Sequence, residues 1–168
     1  FTIGKNGKLI GSYVNVISSR ENGKEELIKN LGELQLSYSS FTNTKKGTNF
    51  LTSKSSKDVK IDSCTIDSWG NGIIVDGTGN FSIKKSNIKN NIIGIVIQDG
   101  EGYSIKNKIE IADNPNIYNN EVGIFVNRIG QEVLHKKLEI TSNTFDNSIS
   151  SSLELYSDNL SNIVFERN

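Results

Sequence analysis

The stretch FSIKKSNIKNNIIGIVI, residues 81–97, contains three short apolar runs with the spacing of β-strands. Phe81 and Ile83 alternate in the first run, Ile88 marks the second, and Gly94 opens the third. A period of two places side chains on one face of a strand. Ser and Asn residues stand between the runs, and both types favour tight turns. The stretch therefore predicts three short strands joined by turns.

The first run recurs along the chain. Its copies are the apolar pairs Leu34/Leu36, Val59/Ile61, Phe81/Ile83, Ile109/Ile111, Leu138/Ile140 and Ile163/Phe165. The second members of successive pairs lie 25, 22, 28, 29 and 25 residues apart. This spacing is typical of one supersecondary unit in a solenoid. An antiparallel β-sandwich also has many short strands, but it does not require one residue class at six equivalent places.

Other positions recur with the same period. Three residues beyond each pair stands a small or amide residue: Ser39, Cys64, Ser86, Asn114, Asn143 and Asn168. A glycine followed by an apolar run recurs at Gly72, Gly94 and Gly123. Stacked coils at about 4.8 Å pair their strands in parallel, and stacked amides satisfy turn backbone. The sequence predicts an all-β, right-handed parallel β-helix of about six three-strand coils.

The first part of the chain fits the repeat poorly. We predict that residues 1–33 form an irregular N-terminal coil or cap and that residues 34–168 form the β-helix repeats of a longer chain. Within the cap, Leu27, Ile28 and Leu31 share one face of a helix, and Gly32 stands where a helix often stops. A short helix or a loop is therefore expected there.

The repeat resembles a known family. The pattern Ile-x-x-Ser/Asn-x-Ile-x-Asn-Asn followed by Gly-Ile-x-Val is clearest in residues 83–97, 111–126 and 59–75. It is similar to the β-helix repeats of the pectate-lyase-like superfamily, which includes polysaccharide lyases, phage tailspikes and surface adhesins. The resemblance covers residues 34–168 and implies polysaccharide binding or cleavage along the side of the rod. It is a fold-level analogy for function.

The composition of the chain argues against several classes of binding partner. Nineteen Lys and Arg residues balance nineteen Asp and Glu residues, so no nucleic-acid partner is expected. No stretch is long and apolar enough to predict a membrane span. The single histidine, His135, argues against a histidine metal site. No cofactor is predicted, apart from calcium as an option for paired carboxylates.

Candidate catalytic residues lie after the third strands. Asp76 and Asp99 stand at corresponding strand ends, where paired carboxylates would perform acid–base chemistry on a glycan or hold calcium. Each precedes a glycine, so both also fit ordinary turns. Arg128 is the candidate base for a lyase reaction. The His-containing motifs of polygalacturonases and alginate epimerases are absent from the sequence.

Four other residues are candidates for glycan binding. Trp69, Tyr103 and Tyr156 fall at predicted turns or loops, where a flat ring can stack on a sugar, and Gln98 begins a long loop beside them. Trp69 fits packing over its own turn equally well.

An apolar stripe is expected outside the third strands. Ile74, Val96 and Phe125 point outward if their neighbours point inward. Such a stripe needs a cover. It packs beneath the long loops after these strands or forms the seam of a homotrimer.

These features together predict an extracellular polysaccharide-binding module, such as part of a phage tailspike or a cell-surface adhesin. The alternatives are a polysaccharide lyase or glycoside hydrolase with its site on the loop edge, and a structural spacer. The expected location is extracellular, on a cell surface or on a virion.

Overall fold

The computed structural model describes residues 1–19, 26–45, 47–77, 79–98, 108–128, 138–157 and 163–168, with the backbone alone for Arg128 and Ser157. Sheet A contains β1 (Thr2–Ile3), β4 (Glu26–Asn30), β7 (Asn49–Ser53), β10 (Asn71–Val75), β13 (Ile93–Gln98), β16 (Val122–Arg128) and β19 (Ser151–Ser157). Sheet B contains β2 (Lys8–Ser12), β5 (Glu33–Ser37), β8 (Val59–Asp62), β11 (Phe81–Lys84), β14 (Ile109–Ala112), β17 (Leu138–Thr141) and β20 (Ile163–Glu166). Sheet C contains β3 (Asn15–Ser18), β6 (Ser40–Asn43), β9 (Thr65–Asp67), β12 (Asn87–Lys89), β15 (Asn116–Tyr118) and β18 (Phe145–Asp146).

Each sheet takes every third strand of the chain, and every strand pairing is parallel. The chain therefore winds through sheets A, B and C in turn and returns to sheet A one layer higher. This is a parallel β-solenoid with three strands per coil, as the periodicity predicts. The described residues contain no helix.

The predicted apolar pairs stack directly on one another. Phe81 lies opposite Val59 on one side and Ile109 on the other. Ile83 pairs in the same way with Ile61 and Ile111. Ile83 and Ile111 have no exposed surface, so one continuous core runs through the coils. A single coil has too little apolar area to bury such side chains, and stacking supplies the cover.

The corner from sheet B to sheet C is a tight turn in every coil. Its first residue has a positive φ between 48° and 57° in all seven copies: Tyr13, Tyr38, Ser63, Lys85, Asp113, Ser142 and Arg167. In six of the copies the next residue belongs to the predicted small-polar ladder, and after Tyr13 it is Val14. Asn114 accepts the Ser86 backbone N–H at 3.0 Å, and its own amide donates to Asn143 Oδ1 at 2.8 Å. The ladder therefore satisfies turn backbone that the stacked coils bury.

The corner from sheet C to sheet A repeats this design. Asn90 and Asn119 have φ of 58° and 55°, and Asn119 donates to Asn90 Oδ1. The residues that follow, Asn91 and Asn120, are fully buried, and Asn91 donates to Asn120 Oδ1 at 3.0 Å. Asparagine suits both roles because it tolerates the left-handed conformation and carries both a donor and an acceptor.

The short helix considered near residue 27 is wrong. Glu26–Asn30 is strand β4, which lies between β1 and β7 in sheet A. Ile28 is buried opposite Leu51, and the Lys29 N–H donates to Phe1 O at 2.8 Å. Neighbouring coils on both sides offer hydrogen bonds and apolar cover, and these outweigh a weak local helix pattern. The described part of residues 1–33 thus adds strands to all three sheets.

Candidate functional site

The outer face of sheet A brings several of the predicted residues together. Strand register places Gln98 beside Asn127, and Asn127 beside Tyr156. The Asp76 N–H bonds to Ser53 O at 2.8 Å, which continues the pairing of β10 with β7 by one residue. On the other side of β10, Val75 pairs with Ile97, and Asp76 and Gln98 are the residues that follow this pair. Asp76 therefore comes next to Gln98. We call Asp76, Gln98, Asn127 and Tyr156 the polar column.

The apolar stripe of Ile74, Val96 and Phe125 lies two residues before the polar column. Ile74 pairs with Val96, and Val96 pairs with Phe125. The residues on either side of Val96 are fully buried in the core, so the stripe faces outward, as predicted. Val96 is nevertheless only 7% exposed in the single chain. The homotrimer through this stripe stays a prediction, which a solution mass would decide.

Asp76 has an unusual environment. Its side chain is 7% exposed, and its Oδ2 lies 3.1 Å from the Lys54 ammonium, which is half-exposed. Its Oδ1 is buried and accepts no hydrogen bond. Most buried polar atoms are paired, so this oxygen requires an explanation. Sequence reasoning selected the residue but gave no signal for its burial or for the Lys54 partner.

In register Asp76 corresponds to Gln98, since each follows the pair Val75–Ile97 by one residue, and the predicted pairing of Asp76 with Asp99 stays a prediction. Asp99 itself lies outside the described residues. Arg128 is the last residue of β16 and pairs with Ser157, but its side chain also lies outside the described set. The described side chains thus do not assemble a carboxylate pair or a carboxylate with an arginine at this face.

Tyr156 is the accessible aromatic residue of the polar column. It is 56% exposed, and its ring centroid lies 5.6 Å from that of Phe125 in the apolar stripe, with the planes tilted by 45°. Aromatic pairs of this geometry hold each other in place. The two rings therefore form a firm apolar platform beside the amides. Tyr103, the other predicted ring, lies outside the described residues.

Trp69 does not form a surface platform, and its packing alternative is correct. The side chain is fully buried, its indole N–H donates to Phe41 O at 3.0 Å, and its ring lies 5.7 Å from that of Phe50. The Trp69 backbone N–H donates to Asn91 Oδ1, so Trp69 occupies the inward ladder position of its coil. No face of the indole is open to a sugar.

The sequence analysis missed a charged groove on the outer face of sheet B. It has a volume of about 540 Å³ and forms where the small Ser82 lies between the long side chains of Lys60 and Glu110. Glu110 pairs with Lys84 at 2.9 Å and with Lys108 at 3.1 Å. Burial raises the pKa of Glu110, but hydrogen bonds from both lysines outweigh it and hold the pKa below 4.5, the ordinary value. The sequence feature that indicated this groove was the small Ser82, at a position where the neighbouring coils have Lys60 and Glu110.

The described part of the chain holds no group of three or more His, Cys, Asp or Glu residues arranged to bind a metal ion. Calcium, the one ion considered from the sequence, stays a prediction. Within the same residues no helix has the length and apolar character needed to cross a bilayer.

Comparison with known proteins does not assign the chain to a family. No protein-family model matches this chain, and no match emerges from the curated proteins or from the solved structures.

Proposed function

We propose that this chain is an extracellular polysaccharide-binding β-helix module, and that the outer face of sheet A is its binding face. The observation that carries the proposal is the alignment of Asp76, Gln98 and Tyr156 in one column along the rod. All three were selected from the sequence as sites of glycan chemistry. A linear polymer of repeated hydroxylated rings suits a surface with repeated, evenly spaced hydrogen-bonding groups.

The side chains of the polar column can bind both the hydroxyl groups and the C–H faces of a sugar. Gln98 and Asn127 are half-buried amides, each with donors and an acceptor for sugar hydroxyls. The Phe125–Tyr156 pair supplies an apolar platform at one end, and such platforms suit the C–H faces of pyranose rings. Successive groups are separated by the coil spacing of about 4.8 Å. A glycan that lies parallel to the rod axis would therefore contact several coils at once.

The resemblance to the pectate-lyase-like superfamily supports the same class of ligand. Within that group, a part of a phage tailspike or a cell-surface adhesin fits a binding module best, and the corresponding locations are a virion or a cell surface. A polysaccharide-degrading enzyme is the second candidate. It needs a second catalytic group beside Asp76, for which Asp99 and Arg128 are the candidates.

The test measures whether the chain is retained by immobilised glycans on an array. Polysaccharides that retain it are then cast into gels, and electrophoresis through those gels measures how far they slow the chain. Tyr156→Ala is expected to reduce retention at least fivefold, or about 1 kcal/mol, because the platform loses its exposed ring. Tyr38→Ala is the matched control, since Tyr38 is also 56% exposed but lies at the corner between sheets B and C.

Product analysis separates binding from cleavage. Release of new reducing ends or unsaturated uronates from a retained polymer would favour the enzyme. Equal retention of both tyrosine variants and of the unaltered chain would show that the face of sheet A is not the binding face. Absence of retention on every glycan would contradict the proposed function.

A further inference from the structure

A pair of stacked tyrosine rings stands at the corner between sheets B and C in the first two coils, and neither ring belongs to the proposed glycan face. The ring centroids of Tyr13 and Tyr38 lie 5.2 Å apart, and the two planes are only 11° from parallel. The residues are 79% and 56% exposed, so a reagent in solution reaches both phenols. Within the part of the chain that the structure describes, no other two tyrosine rings pack against each other.

Hydrogen bonds on both sides of the pair hold the two rings in register. Just before the rings, Ser37 Oγ donates to Ser12 Oγ at 3.0 Å. Just after them, the Val14 N–H donates to Ser39 Oγ at 3.0 Å. The two corners are therefore tied together one residue before and one residue after the tyrosines, and the rings stay one coil apart.

Tyrosine is a costly residue at this position of the turn. Tyr13 and Tyr38 have φ of 57° and 48°, in the left-handed region that bulky side chains rarely adopt. The other copies of the corner carry polar or charged residues, namely Ser63, Lys85, Asp113, Ser142 and Arg167. The turn itself therefore gives no reason for tyrosine on two adjacent coils.

The chain offers few other targets to an oxidant. It contains no methionine, one cysteine and one tryptophan. Cys64 and Trp69 are both buried, and burial raises the pKa of the Cys64 thiol, which keeps it in the unreactive protonated form. Among the described residues, an oxidant in solution thus meets exposed phenols before it meets sulfur or indole.

Parallel stacking is the geometry in which two oxidised phenols couple. Loss of one electron and one proton from each phenol gives two tyrosyl radicals, whose unpaired electrons lie partly on the Cε atoms next to the hydroxyl-bearing carbon. The orbitals that hold these electrons are perpendicular to the rings, so they overlap when the faces meet. A carbon–carbon bond then forms between two Cε atoms. The hydrogen on each of these carbons moves to the phenolic oxygen, which restores both aromatic rings.

We propose that Tyr13 and Tyr38 are an oxidative crosslinking site: hydrogen peroxide activated by a haem peroxidase takes one electron and one proton from each phenol and is reduced to two water molecules, and the two radicals join through Cε as dityrosine. The product ties the first coil covalently to the second. Strand β2 has one neighbouring strand in sheet B, so the tie acts where opening of the solenoid begins.

The test is treatment of the intact chain with a haem peroxidase and hydrogen peroxide. The expected product is monomeric, is lighter by two hydrogen atoms and shows dityrosine fluorescence. Peptide mapping by mass spectrometry should find the link between residues 13 and 38. The yield should not depend on the concentration of the chain, because both phenols belong to one molecule.

Single variants that keep the ring and remove the phenol identify the residues that couple. Tyr13→Phe and Tyr38→Phe should each lower the yield of the monomeric product about tenfold or more, because the remaining phenol has no partner held beside it. Tyr156→Phe is the matched control, since Tyr156 is also 56% exposed but packs against Phe125. It should leave the yield unchanged.

Hydrogen exchange measures what the crosslink does to the fold. After crosslinking, exchange in β2 should slow about fivefold or more, while exchange in β11 stays the same, because only the end coil gains a covalent tie. A link that joins other tyrosines, a mainly dimeric product, or a full yield from Tyr13→Phe would overturn the crosslinking site. Mapping of the unaltered chain decides this even if a variant fails to fold. Unchanged exchange in β2 would overturn the stabilising role of the tie.

Discussion

At the scale of single residues, the asparagine ladders stabilise the corners of the coils. Asn114 is fully buried and makes three contacts: Oδ1 accepts the Ser86 N–H, and Nδ2 donates to Ile83 O and to Asn143 Oδ1. Each buried partner left without a bond costs about 1–3 kcal/mol. The ladder therefore has a larger effect on stability than an exposed hydrogen bond does.

We expect Asn114→Ala to lower the free energy of unfolding by about 3 kcal/mol, because several buried partners lose their hydrogen bonds at once. Urea denaturation measures the change. The control is Asn116→Ala, which removes an exposed amide that bonds to Asn87 and should cost less than about 0.5 kcal/mol. Similar values for the two variants would contradict the structural importance of the buried ladder.

Cys64 occupies the same ladder, and its thiol is buried. Burial raises the pKa of the thiol above its ordinary value of 9.0, so the folded chain holds it protonated. A folded-state pKa that is raised gives stability that is present below pH 9.0 and is lost as the pH rises through the folded value.

Cys64 should react slowly with a thiol reagent at mildly alkaline pH and rapidly in denaturant, since only the thiolate is reactive. Cys64→Ser places the Ser of neighbouring coils at this position and should remove the loss of stability at high pH. Thermal melts at neutral and alkaline pH compare the two chains. Equal rates of labelling in folded and unfolded chain would contradict the assigned burial.

At the scale of elements, glycine permits close stacking where the chain enters the strands of sheet A. A Cβ atom on Gly94 would lie 2.5 Å from Gly123 O, and a Cβ on Gly72 would lie as close to Gly94 O. Both obstacles are backbone atoms of the next coil, which cannot move without separating the coils. The recurring glycine in the repeat thus reflects contact between coils.

Gly94→Ala is expected to destabilise the chain by about 2 kcal/mol or more, because the added methyl group overpacks the stack. Gly4→Ala is the matched control, since a Cβ there meets no atom within 4 Å. Denaturant unfolding of both variants tests the difference. A neutral Gly94→Ala would show that the coils separate more easily than the structure implies.

The charged network on sheet B should make the strands around β14 sensitive to acid. The pKa of Glu110 is lowered in the folded chain, so its contribution to stability is present above pH 4.5 and is lost as the pH falls below it. Lys84 and Lys108 lose their partner when Glu110 is protonated.

Glu110→Gln should therefore narrow the gap between the melting temperatures at about pH 6 and about pH 3, compared with the unaltered chain. Glu121→Gln, at an exposed position, should leave that gap unchanged. Melts followed by circular dichroism provide the measurement. If Glu110→Gln leaves the difference between the two melting temperatures unchanged, the acid sensitivity arises from other carboxyl groups.

At the scale of the whole molecule, the solenoid has nearest-neighbour stability. Each inner coil contacts the coil before it and the coil after it through parallel strand pairs, as β11 does with β8 and β14. Strands of the end layers, such as β2 and β20, have one neighbour. In such an array, opening starts at the ends.

Hydrogen exchange should consequently be slowest in β8, β11 and β14 and faster in β2 and β20. Mass spectrometry of peptides from partly exchanged chain would measure the gradient. Uniform protection from one end of this chain to the other would contradict nearest-neighbour stability and would indicate a single cooperative unit.

The sequence by itself determined the solenoid, its three strands per coil and its stacked ladders. In a stack of repeats, residues at equivalent positions of the repeat lie on one another, so the repeat pattern also predicts the long-range contacts. Ile61, Ile83 and Ile111 are equivalent in sequence and therefore touch in space. It also selected three of the four members of the polar column. Asn127 was missed because an isolated Asn in a loop sequence has no distinctive signal.

Only the tertiary structure decided the rest. Glu26–Asn30 became a strand because neighbouring coils supplied its hydrogen bonds, and Trp69 turned inward because its corner position points into the core. Strand register made Gln98 the counterpart of Asp76, since each follows the pair Val75–Ile97 by one residue. Burial and ion pairing depend on atoms from other coils, and the composition of one coil does not contain that information.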